Sequence, residues 1–203
     1  MTIHTLWQTN LLVLDNFLPH ECYLDVHRFV HDQYRLKQTF PMLSFDHTNV
    51  PPELAVWKQF TDNAFLQYAA SAGLNWEMFD WTNIQASWIE KYNEKYHNEH
   101  ILEPHHDLAE AGHVAIVYYI DGNVSIPGEK FVGGDLAIYK ALTYAEYPEG
   151  IVHVSPVPNR LIMFPALLYH RVKPYFGDIP RVALAALLNK ERGHNQNQII
   201  HTI

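Results

Sequence analysis

The 203 residues are one domain's worth of chain, and at 48% hydrophobic and 18% charged they carry enough apolar mass for a core. A net charge of −8 with no Lys/Arg run argues against a nucleic-acid backbone as partner. The single cysteine, Cys22, excludes an internal disulfide and a multi-cysteine zinc site, and it suits a reducing cytoplasm.

No apolar run approaches ~18 residues, so no membrane span is expected. The start, "MTIHTLWQTNLLVLDNFLP", has neither a basic beginning nor a small-residue cleavage site, so no signal peptide is read there. Without repeats, low-complexity tracts or a Gly/Ser linker, one domain over residues 1–203 is expected.

The first third reads as helical support, about residues 15–75. "LLVLDNFLP" predicts a short strand, Leu11–Leu14, running into a turn. "HECYLDVHRFVHDQ" places Cys22, Val26, Phe29 and Val30 on one face at helical spacing. Phe40 to Pro52 has no clean period and reads as a loop. "PELAVWKQFTDNAFLQYAASAG" puts Leu54, Trp57, Phe65, Tyr68 and Ala72 on one stripe, with Pro51 and Pro52 before its start and Gly73 at its stop.

From about Asn83 to 189 the pattern changes to short β-rich segments bounded by Gly, Pro, Asn and Asp: "IQASWIEKYN", "HVAIVYYI", "GDLAIYK", "GIVHVSP", "RLIMFP", "YHRVKPY" and "RVALAALLN". Residues 190–203 read as a loose polar tail. The expectation is an α+β chain whose N-terminal helices pack on one face of an all-β barrel or sandwich. The irregular stretches Phe40–Val50 and Asp121–Val132 have the length of lids.

The segment "PHHD" carries the first chemistry. Side chains alternate along an extended chain, so His105 and Asp107 share a face and His106 takes the other. His106 offers the same ligand one residue on, but alternation favours His105. A carboxylate beside an imidazole on an inner face needs a compensating partner, and a divalent metal supplies one. A third ligand, His170, sits in "FPALLYHRVKPYFGDIPR". Two histidines and a carboxylate make the facial triad of non-haem Fe(II) oxygenases, leaving positions open. Arg181 opens the otherwise apolar strand "RVALAALL", where its planar fork either sits at the strand mouth or reaches inward to a carboxylate. The chain also has fourteen histidines, against about five at average usage, which raises the prior that some bind metal.

This ordered set resembles the Fe(II)/2-oxoglutarate-dependent oxygenases, within them the prolyl-4-hydroxylase-like branch. "LLVLDNFLPHEC" is similar to the family's opening strand and helix, and "WIEKYN" to the strand whose tyrosine approaches the co-substrate. "HHD" supplies the HxD pair, "HVAIVYYID" the following strand and "VGGDLAIY" the Gly-Gly strand. "NRLIMFPALLYHRVKPY" resembles the stretch with the distal histidine, and "RVALAALL" the strand with the basic residue. The linker "EKYHNEHILEP" is more charged than the family's, and "MFPALLYH" lacks polar residues often found there.

The resemblance implies a double-stranded β-helix of about eight strands with the metal at one mouth. It assigns His105, Asp107 and His170 to Fe(II). Arg181 would clamp the distal carboxylate of 2-oxoglutarate, with Tyr119 and Tyr92 adding phenol hydrogen bonds. It implies O2 as oxidant and ascorbate as an accessory, with hydroxylation of an unactivated C–H bond coupled to release of succinate and CO2. The branch points to a prolyl or other amino-acid side chain in a protein or peptide. A free amino acid or small biosynthetic intermediate is the alternative. A non-catalytic metal-dependent binding module would break the triad or lose the basic residue. A cupin-like enzyme without 2-oxoglutarate would need further histidines and no Arg181.

Overall fold

The computed structural model describes residues 2–6, 10–37, 42–89, 104–107, 113–122, 131–139, 150–173, 175–177 and 181–190. In chain order these form β1 (Thr2–Leu6), β2 (Leu11–Asp15), α1 (His20–Lys37), β3 (Met42–Phe45), α2 (Pro52–Ala72), a single 3-10 turn at Trp76–Met78, β4 (Phe79–Ile89), β5 (Val114–Tyr119), β6 (Phe131–Gly133), β7 (Leu136–Tyr139), β8 (Ile151–Val154), β9 (Arg160–Pro165), β10 (His170–Val172), β11 (Tyr175–Gly177) and β12 (Arg181–Lys190). No helix among them is long and apolar enough to cross a membrane.

The strands make a seven-stranded sheet in the order β1-β2-β9-β5-β12-β4-β3, a three-stranded sheet β10-β7-β8 and a pair β11-β6. Every pairing between them is antiparallel. Period-2 alternation divides the large sheet between two cores. Leu12, Leu14, Ile116, Tyr118, Leu161, Met163, Val182 and Leu184 meet the helices. Leu11, Val13, Ala115, Tyr119, Ile162, Phe164 and Ala183 meet Leu136, Ile138 and Val154 of the small sheet. The central strands are therefore apolar on both faces, which is why they read as continuous hydrophobic runs.

Both helices follow the spacing read from the sequence. In α1, Val26 and Val30 are fully buried, with Cys22 and Phe29 packed beside them. In α2, Leu54, Trp57, Phe65 and Tyr68 are buried, joined by Thr61 and Ala64, while Ala72 lies at the margin of that core. Thr61 is tolerated there because its hydroxyl donates to the Trp57 carbonyl at 2.7 Å. The helix stops at Gly73, whose φ of 67° lets the Leu74 amide reach back to the Ala69 carbonyl at 2.8 Å.

Two strands differ from the expectation. Met42–Phe45 lies inside the stretch read as a loop, yet it pairs with β4, and Leu43 and Phe45 pack against the helix-side core. Four residues give only two turns of the alternation, too few to show a period. The lid expected over Phe40–Val50 is thus partly a sheet edge, followed by a turn in which Asp46 accepts from the Thr48 amide at 2.8 Å. Residues Thr2–Leu6, read only as the chain start, add an edge strand beside β2. Of the second expected lid, residues 123–130 lie outside the described residues, as does the tail 191–203.

Candidate active site

The segment 104–107 and the start of β10 are joined by backbone. The His105 amide donates to the His170 carbonyl at 3.0 Å, and the His170 amide returns to His105 at 2.7 Å. That bridge sets the two histidines directly opposite each other, with ring centroids 4.5 Å apart. A third bond, from the Asp107 amide to the Ala166 carbonyl at 3.2 Å, holds the carboxylate beside them.

Asp107 Oδ1 lies 3.9 Å from His105 Nε2 and 3.7 Å from His170 Nε2. The three donor atoms fall within 4.8 Å of one another. His106 points elsewhere, its ring edge-on to Tyr169 at 5.1 Å.

The donor set suits a divalent ion. His170 is buried against Phe164, with ring centroids 5.0 Å apart. Its Nδ1 faces the Leu168 carbonyl at 3.0 Å. A carbonyl only accepts, so Nδ1 carries the proton and Nε2 presents its lone pair toward Asp107. Burial lowers the His170 pKa and outweighs the opposing pull of Asp107, so the ring is held neutral. His105 and Asp107 are about one-third exposed, which leaves this end open to solvent.

The triad lines one end of a cavity of about 180 Å³ that also touches Gln85, Leu136 and Arg181. That is below the ~300–1,000 Å³ of drug-sized sites and suits a small co-substrate. Ala115, Ala183 and Ala185 clear the space.

Arg181 is 2% exposed. Its Nε donates to the Gly134 carbonyl at 3.0 Å and one terminal nitrogen donates to the Tyr119 hydroxyl at 3.1 Å. The guanidinium also lies 4.8 Å from the Tyr119 ring centroid. Among the described residues it forms no ion pair. Tyr119 is fully buried, and burial raises its pKa against the opposing effect of Arg181. It stays a phenol that accepts from arginine and has its own proton to donate.

No protein-family model matches the sequence, and no curated protein matches it either. Solved structures do. A prolyl-4-hydroxylase from Pseudomonas putida superposes with a TM-score of 0.64 at 15% identity, over 89% of this chain and 93% of that one. A prolyl hydroxylase from Trichoplax adhaerens, in complex with a hypoxia inducible factor peptide fragment, gives 0.58 at 15% identity, over 90% and 84%. A viral collagen prolyl hydroxylase from Paramecium bursaria Chlorella virus-1, as a 2OG complex, gives 0.57 at 10% identity, over 88% and 94%. The chain has the prolyl 4-hydroxylase fold.

Within that fold His105, Asp107, His170 and Arg181 line one cavity, and Tyr119 stands behind it, bonded to Arg181. Tyr92 lies outside the described residues. The sequence reading missed the part played by Gly134. Its φ of +71° and the 3.1 Å from an added Cβ to Arg181 Cδ reserve the position for glycine, and its carbonyl holds the arginine. The signal was the Gly133-Gly134 pair ahead of β7, in the stretch that resembles the family's Gly-Gly strand. Gln85 is the second omission; the alternation of β4 was visible, but not which face met the lumen.

Proposed function

We propose that this chain is an Fe(II)- and 2-oxoglutarate-dependent dioxygenase that hydroxylates an unactivated C–H bond, releasing succinate and CO2. The single observation that carries the reading is Arg181. A guanidinium buried in a cavity, without an acidic partner among the described residues, needs an anion to offset its desolvation. A dicarboxylate with one end at Arg181 and the other at the triad meets that need. The fold likeness supports the same reading.

In this reading the whole chain, residues 1–203, is one oxygenase domain, and its two facing sheets are the halves of a double-stranded β-helix. His105 Nε2, His170 Nε2 and one Asp107 oxygen would hold Fe(II). The iron, with 2-oxoglutarate and O2, supplies the oxidising chemistry, and ascorbate serves as its accessory reductant.

The protein supplies position and charge. Leu168 fixes the His170 tautomer, Gly134 orients Arg181, and Arg181 with Tyr119 offers two donors to one carboxylate. Apolar walls exclude water, so those contacts act at low dielectric.

For the substrate we infer a prolyl or other amino-acid side chain in a protein or peptide. The small cavity supports this, since it accommodates a co-substrate and leaves a larger substrate outside its open end. The Trichoplax enzyme's peptide complex is in keeping with it. A net charge of −8 fits a basic peptide better than a nucleic acid, and the single cysteine fits a cytoplasmic setting.

The test is succinate formation from 2-oxoglutarate with Fe(II), ascorbate and O2. One series has no added substrate; others contain proline-rich peptides or free amino acids. Turnover stimulated by peptides and lost in His170→Ala supports the reading, and stimulation by free amino acids alone replaces the peptidyl substrate. Absence of 2-oxoglutarate binding by iron-loaded protein overturns the co-substrate assignment.

A further inference from the structure

A second convergence of metal-type donors lies on the helix side of the large sheet. His27 and His31 stand one turn apart on α1. Their rings are 4.3 Å apart, centroid to centroid, and tilted by 34°. Both direct Nε2 at a single carboxylate, that of Asp121: His27 to Oδ1 at 3.0 Å and His31 to Oδ2 at 2.6 Å.

The three donors lie within 4.8 Å of one another. Asp121 comes two residues after β5, where its amide and that of Ile120 both donate to the Val182 carbonyl. One turn earlier on α1, the Tyr23 hydroxyl donates to the Ile120 carbonyl at 2.9 Å. One face of the helix thus meets the end of one strand, and the carboxylate is anchored by backbone.

We propose that His27, His31 and Asp121 form a metal site for a divalent ion of the zinc class, separate from the triad in the cavity. Zinc takes imidazole and carboxylate donors at about 2.0–2.2 Å, which puts tetrahedral neighbours about 3.3 Å apart. The nitrogen–oxygen separations here need small rotamer adjustments to reach that value. Hydrogen bonding alone requires both imidazoles to present an N–H to one carboxylate while their rings lie side by side. An ion in the centre replaces both protons and uses the Nε2 lone pairs instead.

Side-chain exposures of 36%, 24% and 17% for His27, His31 and Asp121 leave an approach from solvent and a fourth position for water. The ion would clamp α1 to the end of β5, two residues beyond Tyr119. The site is structural and does not depend on the oxygenase reading.

The test is zinc stoichiometry on tag-free, chelator-stripped protein. Wild type should take two equivalents, and the His105→Ala/His170→Ala protein one. At a hundredfold excess over Kd, zinc should raise the Tm of that double variant by about 5–10 °C. Adding His31→Gln, which keeps an N–H toward Asp121, should abolish both the binding and the rise. No zinc bound by the His105→Ala/His170→Ala protein overturns the proposal. Should that variant not fold, wild type and His31→Gln alone decide: a zinc stoichiometry left unchanged by His31→Gln overturns it. None of these readings depends on turnover, so failure of the oxygenase assignment would leave them intact.

Discussion

Replacing Arg181 by methionine separates what the arginine does for the fold from what it does for a ligand. Methionine keeps an apolar stem of similar length beside Gly134 and removes the charge. In the ligand-free protein two effects oppose each other. Losing the bonds to the Gly134 carbonyl and the Tyr119 hydroxyl costs about 1–3 kcal/mol each if those groups stay dry. Removing a buried cation with no acidic partner among the described residues returns several kcal/mol of desolvation. The expected net change is within about 2 kcal/mol of zero. For a bound dicarboxylate only loss is expected: about 2–5 kcal/mol for truncating one side of a buried charge pair, or roughly 30- to 4,000-fold in Kd. The assay is calorimetric titration of 2-oxoglutarate into anaerobic protein loaded with Mn(II), paired with urea unfolding without ligand. A Kd within threefold of wild type would refute the clamp. So would a stability loss above about 5 kcal/mol with unchanged affinity, since Arg181 would then be a structural group.

Three further outcomes follow from the same geometry. Asn159→Ala should destabilise by about 3–5 kcal/mol in urea. Asn159 Oδ1 accepts from the Leu18 amide at 2.8 Å and the Tyr118 hydroxyl at 2.9 Å, its amide donates to the Leu18 carbonyl at 2.8 Å, and its φ of 61° favours Asn over Ala. Gly134→Ala should cost about 1–3 kcal/mol for the positive φ and the tight contact with Arg181, and should weaken 2-oxoglutarate binding at unchanged zinc stoichiometry. Alkaline unfolding should begin near the ordinary tyrosine range. Burial, with the Asp121 charge, raises Tyr23 to about 12, and burial raises Tyr68, Tyr118 and Tyr119 as well. Folded pKa values above the unfolded 10.0 mean that stability is full below pH 10 and is lost as pH rises through the folded values. Urea midpoints at stepped pH, with tyrosinate absorbance, check this; a midpoint flat to pH 12 contradicts it.

What could be read from the sequence depended on range. His105 and Asp107 share a face because alternation is local, and Arg181 stood out as a charge opening an apolar strand. The stripe Leu54, Trp57, Phe65, Tyr68 was legible because α2 has one buried face. β3 was not, since four residues carry too little pattern, and the central strands hide their alternation because both faces are covered. The Asn159 junction and the pairing of His27 and His31 with Asp121 are tertiary. Asn159 lies 141 positions from Leu18, and His31 lies 90 from Asp121, so no spacing rule connects them.

The hollow at the centre of the small-sheet side is made by subtraction. Where Leu136 and Leu187 of the same lining carry longer side chains, the wall at Ala115, Ala183 and Ala185 carries a methyl group, so the room inside the cavity is written in alanines. Such a wall can be re-cut one carbon at a time. Ala185→Gly would widen the chamber toward a branched keto-diacid, and Ala185→Val would narrow it, with the arginine and the triad left in place. Paired with a matching synthetic co-substrate, the altered chain could be switched on alone in a cell full of related enzymes.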